Sequence, residues 1–191
     1  MAPGSTVPTS LTVAVSAALA VQIAAFLAAL ALVSAGHKLA RPARVRAAIE
    51  ALTGVSATTA AVALVILAIA EAGAGVALLI PALRTAGAVL AATVWAGYGV
   101  ALARAVAAGR RDLDCGCSFG ESHARLGPYH VLRAGGLALV AATIAAAPAA
   151  VARHSFAVSL STIGGALALL ALVFALDQLM NLPSPAAGAL R

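Results

Sequence analysis

The chain predicts an all-α integral membrane protein: a compact bundle of about five transmembrane helices, with a short interfacial helix after the first. Three observations predict it. Hydrophobic residues make up 63% of the 191 residues and charged residues only 9%, whereas about a quarter of a soluble domain is charged. Several apolar runs meet or approach the roughly 20 residues that a bilayer core requires of a helix. The basic residues gather at the ends of those runs, where they orient helices. That placement also argues against nucleic acid as the partner of a chain with net charge +6.

The runs follow in order. The N-terminal segment 1–10 has no Lys or Arg and reads as disordered. The first run, 11–35, is too long for the apolar part of a signal peptide and reads as a retained helix. The second, 58–80, is closed by Pro81, and the third covers 85–108. The fourth, 129–151, opens with His130 and Arg133 and carries Pro148 near its end. The fifth covers 156–180, and the Pro-containing tail 183–191 reads as disordered. The transmembrane domain is therefore expected over residues 11–182.

Segment 37–56 differs in kind. Pro42 suits the first turn of a helix. Val45, Ala48, Ile49 and Leu52 then recur at three- and four-residue spacing. A short amphipathic helix is expected, with Arg41, Arg44 and Arg46 at the headgroups and its apolar side on the membrane, and a plain basic loop is the alternative. Gly73/Gly75, Gly97/Gly99, Gly135/Gly136 and Gly164/Gly165 lie inside apolar runs. Small residues of this kind let membrane helices approach closely, although alanine and glycine are abundant throughout.

Five spans put segments 37–56 and 109–128 and the C-terminus on one side. That side holds ten of the twelve Lys and Arg residues; Arg84 and Arg153 hold the other. The imbalance predicts an inner (plasma) membrane protein whose 109–128 loop is cytoplasmic.

That loop carries both thiols, as Cys115-Gly116-Cys117. Such a pair closes a disulfide only through a tight ring, and strain makes the bond more reducible. Gly116 relieves part of the backbone conflict. The ring closes almost no chain, so it adds little stability. Exchange suits the pair better than stapling. Arg110, Arg111 and His123 favour thiolate, whereas Asp112, Asp114 and Glu121 oppose it. Two loop thiols without a role is the plain alternative. A metal site is another: Cys115, Cys117 and His123, with Glu121 or His130, are ligands of suitable type, but C-x-C-x5-H is not a usual zinc spacing.

Charges inside the spans come next. Glu71 falls near the middle of the second run, where a carboxylate is costly and faces a partner in the bundle interior. It reads either as a proton or quinone site or as a neutral, hydrogen-bonded packing residue. Asp177, near the end of the fifth run, reads as an interfacial residue in water, with Lys38 and Arg133 as partners at its level. Gln22 reads as an interhelix hydrogen-bonding residue. Helix counting thus brings Lys38, Cys115, Cys117, His130, Arg133 and Asp177 to one membrane face, with Glu71 deeper in the bundle.

These residues sit in segments that resemble a known family. "SAGHKLARPARVRAAIEAL", "ILAIAEAGAGVALL", "CGCSFGE" and "VLRAGGLAL" resemble corresponding stretches of the methylamine utilisation protein MauE family, within a wider MauE/DoxX group of redox-associated membrane proteins. The likeness covers about residues 20–150. Two departures stand out: Ser118 separates Cys117 from Phe119, and Ala134 rather than asparagine follows Arg133. The resemblance implies a DoxX-like four-helix core plus one helix. It implies a role in processing, transport or disulfide formation of the methylamine dehydrogenase small subunit. Through the DoxX relatives it also implies thiol oxidation linked to a membrane quinone. Maturation of an exported partner needs outward-facing thiols, which opposes the orientation read from charge.

The function expected is therefore thiol–disulfide exchange at Cys115 and Cys117, with Lys38, Glu71, His123, His130, Arg133 and Asp177 supporting, and with a protein partner bearing redox-active or maturing thiols. The alternative is a non-enzymatic assembly or anchoring subunit whose 109–128 loop docks a soluble oxidoreductase. A small transporter is disfavoured, because the sequence shows no clear internal repeat.

Overall fold

The computed structural model describes residues 9–110, 126–146 and 156–180, all of them helical apart from short connections. The helices are α1 (Thr9–Ala40), α2 (Pro42–Thr53), α3 (Ala57–Leu79), α4 (Arg84–Ala107), α5 (Pro128–Ala146) and α6 (Phe156–Met180). Five of them, all but α2, are long and apolar enough to cross a membrane. The expected disordered ends lie outside the described residues, except that Thr9 and Ser10 already belong to α1.

Local chemistry sets the boundaries. Helix α1 runs past the expected end at Ala35 and carries His37 and Lys38 in its last turn. Nothing before Pro42 breaks it. A proline disfavours the helical region for the residue ahead of it, and Arg41 accordingly sits at φ −132° and ψ 54°. Pro42 then opens α2 without wasting a hydrogen bond. Gly54 closes α2 at φ 74°, its N–H bonded to Glu50 O at 2.8 Å. Only glycine takes that left-handed cap without a Cβ penalty. Ser56 caps α3 by accepting from the Thr59 N–H at 3.3 Å. Pro81 ends α3 and begins a single 3-10 turn, Pro81–Leu83, that leads straight into α4.

Helices α1, α3, α4 and α5 form the core, and α6 packs along α1. This is the expected arrangement of four helices plus one. The centre is made of small and branched side chains: Ala24, Leu27 and Ala31 of α1 meet Ala74 and Leu78 of α3, with Ala88, Ala91 and Trp95 of α4. Close approach replaces bulk. In three of the four glycine doublets, one member faces a neighbouring helix. Gly75 faces Leu32 and Ala28, Gly99 faces Ala134 and Gly135, and Gly165 faces Gln22. Their companions Gly73, Gly97 and Gly164, and both Gly135 and Gly136, would meet nothing if given a Cβ. Gln22 therefore serves the α1–α6 contact by laying its amide against a glycine.

Helix α2 refines one expectation. Part of its apolar side packs on protein. Val45 and Ala48 are buried, and the helix packs against α3 and α4 of its own chain. Arg41 and Arg46 are exposed and Arg44 is half-buried, so the amphipathic pattern is right, and α3 and α4 supply part of its apolar floor. A second small cluster forms near this end of the bundle. Leu126, 1% exposed, packs with Leu102 and Ala105 of α4 and Ala134 of α5.

Candidate functional site

The thiols Cys115 and Cys117 lie outside the described residues, as do Glu121 and His123. The described chain on either side of them is well fixed. On the α4 side, Arg110 donates to Ala51 O at 3.0 Å and to Leu52 O at 2.9 Å. These are carbonyls at the C-terminal end of α2, which has no further turn to bond them. On the α5 side, Leu126 is buried and the Gly127 N–H donates to His130 Nδ1 at 3.3 Å. Both flanks of the Cys segment are thus held at the α2 end of the bundle.

Two buried ion pairs stand in the spans. In the first, Lys38 in the last turn of α1 reaches Glu71 of α3. Its Nζ lies 2.7 Å from Oε2 and 2.9 Å from Oε1. Side chains on a helix lean toward its N-terminus, so an ammonium on the final turn of α1 reaches back to a carboxylate in the span. Ser34, one turn earlier on the same face, accepts from Lys38 Nζ at 2.9 Å and donates to Glu71 Oε1 at 3.0 Å. Tyr98 of α4 donates its hydroxyl to the same Oε1 at 2.8 Å, and its ring lies 5.3 Å from the ammonium. Glu71 is 2% exposed and Lys38 5% exposed. One carboxylate therefore ties α1, α3 and α4 together. The structure thus adds a basic partner to the hydrogen bonds expected of Glu71.

The second pair corrects the reading of Asp177. It is 1% exposed rather than interfacial in water. Its partner is Arg133, whose Nη1 donates to Oδ1 at 2.7 Å, not Lys38. Helix α5 begins and α6 ends at this level; both pack on α1, and the long Arg133 side chain spans the gap to Asp177. His130, one turn before Arg133, is also buried, and its ring meets Tyr129 edge-on at 5.5 Å. Two polar atoms here take no hydrogen bond, His130 Nε2 and Asp177 Oδ2. Because Nδ1 accepts from Gly127, a neutral His130 carries its proton on Nε2.

This pair is expected to hold α6 in place, since α6 packs along α1 and otherwise faces outward. Asp177→Asn removes the charge but keeps one acceptor. A hydrogen bond to a charged group contributes about 1.5–3 kcal/mol, so a loss of about 1–2 kcal/mol is expected. Faster amide hydrogen exchange confined to α6 is the readout. Unchanged α6 protection would show that the pair does not anchor the helix.

Lys38, Glu71, His130, Arg133 and Asp177 are thus assembled as two neighbouring centres rather than one cluster. Sequence reasoning missed Ser34 and Tyr98. Ser34 precedes Lys38 by four residues, which is same-face helical spacing. Tyr98 is the one phenol in an Ala- and Gly-rich span, and a buried tyrosine hydroxyl usually has a partner.

The profile of the family described as "Methylamine utilisation protein MauE" matches residues 16–147, which takes in α1 to α5 and the Cys segment and omits α6. No curated protein matches, and no solved structure does.

Proposed function

Since the chain belongs to the MauE family of methylamine utilisation proteins, we propose that it is a multi-pass membrane protein that passes electrons between its Cys115–Cys117 pair and the thiols of a maturing or redox-active partner. The observation that carries this reading is the fixing of both flanks of the Cys segment. Arg110 is pinned to the end of α2, and Leu126 with His130 is packed at the start of α5. Held flanks fix where the chain leaves α4 and enters α5 on either side of the thiols, at the α2 end of the bundle.

The exchange balances in either direction. In disulfide formation, a partner thiolate attacks one sulfur of the Cys115–Cys117 disulfide to form a mixed disulfide. A second partner thiolate resolves it. The partner loses two electrons and two protons, and Cys115 and Cys117 are left as the dithiol. A membrane quinone or a partner oxidoreductase then takes those two electrons and restores the disulfide. Protons enter or leave at the polar groups of this face. His130 and Asp177, each with an unbonded buried atom, are the groups we assign to that transfer. The maturing small subunit of methylamine dehydrogenase is the partner that the family suggests.

Labelling of intact cells with a membrane-impermeant thiol reagent, followed by trapping of the redox state with a second alkylator, tests the reading. Partial oxidation of the pair, lost in Cys115→Ser and Cys117→Ser, is the expected result, together with accumulation of reduced partner. Labelling without lysis would place the thiols outside, as maturation of an exported partner requires. Protection until lysis would keep them cytoplasmic, as the basic residues predict, and would redirect the search to a cytoplasmic partner. Cysteines that stay reduced, with no effect of either substitution, would remove the exchange reading.

The same fixed flanks also fit a non-enzymatic subunit that docks a soluble oxidoreductase by shape. The double Cys→Ser variant separates the two. Partner co-purification that survives it, with unchanged thiol status, favours docking.

A further inference from the structure

A cavity of about 400 Å³ lies beneath α2, between α3 and α4. Val45, Ile49 and Leu52 of α2 roof it, and Leu67 and Val94 belong to its walls. Its outer walls include Ile66, Thr93 and Gly97, which are exposed on the outside of the bundle. The cavity therefore opens where a bilayer would lie.

Four polar side chains line it, and each has spent its hydrogens. Lys38 gives its three N–H groups to Ser34 and to both oxygens of Glu71. Tyr98 donates to Glu71. Thr53 and Thr93 donate to carbonyls of their own helices, Ile49 O at 2.7 Å and Val89 O at 2.9 Å. A ligand carbonyl or phosphate placed inside would find no donor and would lose its hydration without return. Hydrocarbon loses nothing there. The cavity is chemically a chain-binding site.

The α2 end of the cavity carries the opposite character. Arg41, Arg44 and Arg46 stand within about a turn of Val45, Arg104 within a turn of Leu102, and Arg110 bonds the carbonyl of Leu52. Glu50 pairs with Arg46 at 3.3 Å, and Arg110 is bound to neutral carbonyls, so its charge is not cancelled. Arg41 and Arg104 are exposed, with no carboxylate against them among the described residues. Basic residues at this level attract anionic headgroups, and basic pockets between membrane helices hold them.

We propose that this cavity takes one acyl chain of an anionic diacyl phospholipid, whose phosphate rests against the arginines at its α2 end. The lipid then completes the α2 roof from the membrane side and stabilises the helix that buttresses Arg110.

The test uses the full-length protein purified in mild detergent, with lipid retention read by native mass spectrometry and thermal unfolding read in nanodiscs of phosphatidylglycerol or phosphatidylcholine. Wild type is expected to retain a phosphatidylglycerol and to melt higher in phosphatidylglycerol. Gly97→Phe fills the cavity from a position where an added Cβ meets no atom. It should lower retention at least tenfold and abolish the difference between the two lipids. Thr93→Phe, on another exposed wall, should do the same and serves if the first variant folds poorly. Arg41→Gln with Arg104→Gln should leave a bound lipid but erase the preference for phosphatidylglycerol. Retention of phosphatidylglycerol by both cavity-filling variants at the wild-type level would overturn the proposal. So would a wild-type protein that carries a neutral prenyl compound, or no lipid, in its place.

Discussion

Lys38→Met is expected to lower the stability of the bundle by about 3–5 kcal/mol, the usual cost of stranding one partner of a buried ion pair. Glu71 accepts hydrogen bonds from Ser34, Lys38 and Tyr98, and the ammonium supplies the two shortest approaches to Oε2 and Oε1 apart from the phenol. Removing it leaves a carboxylate, 2% exposed, with two neutral hydroxyls, Ser34 and Tyr98, and no counter-charge. Glu71→Leu should cost less. Lys38 sits on the last turn of α1, and its long stem lets a stranded ammonium swing toward the headgroups. A carboxylate within α3 has no such exit. The double variant Lys38→Met with Glu71→Leu removes both charges and should recover most of the loss, because an ion pair in an apolar setting is often no more stabilising than apolar residues that fill the same space. Trp95 is the sole tryptophan and is buried on α4, so its fluorescence follows unfolding in micelles. Equal losses for the two single variants would refute the snorkelling argument. A double variant as unstable as the sum of the singles would show that the residues act independently.

Why the sequence revealed the spans so fully and the partners so incompletely follows from the same physics. A bilayer demands a long apolar run for each helix, and that demand is local. Pro42, Pro81 and Gly54 then mark ends that any reader can place. Pairing across helices is not local. Asp177 stands at the end of its run, where a solvated carboxylate is normal. Only the placing of α5 and α6 on the same helix α1 discloses that the long Arg133 side chain reaches Asp177. Lys38 looked terminal for the same reason, since a basic residue after an apolar run is usually a topology signal. Its partner Glu71 is 33 residues away, and nothing in the pattern of either segment encodes the distance. The floor under α2 is a different case. An amphipathic helix needs an apolar floor, and the sequence cannot say whether that floor is lipid or the α3–α4 groove.

Gly87→Ala is the second substitution with a large expected effect, and no doublet or motif marks the residue. A Cβ at this position would stand 2.7 Å from Leu78 N, 2.9 Å from Ala77 Cβ and 3.0 Å from Ala74 O. Two of those atoms are backbone, which cannot rotate aside as a side chain does. Helices α3 and α4 would have to part at the end joined by the short Pro81–Leu83 turn. Overpacking of this kind costs about 1–3 kcal/mol, and Gly87→Leu should exceed it. Gly73→Ala is the control. It lies on α3 with open space at its Cβ, and there alanine should stabilise by up to about 1 kcal/mol through helix propensity alone. The two variants make the same chemical change and should move thermal unfolding in opposite directions. If they move it alike, glycine at 87 is not required by contact. Parting the helices has a further consequence. Tyr98 of α4 reaches Glu71 of α3 across the same groove at 2.8 Å, and the cavity under α2 lies between the same two helices. Gly87→Ala should therefore loosen the Tyr98–Glu71 bond at a distance and raise hydrogen exchange in α2, whereas Gly73→Ala should leave both unchanged.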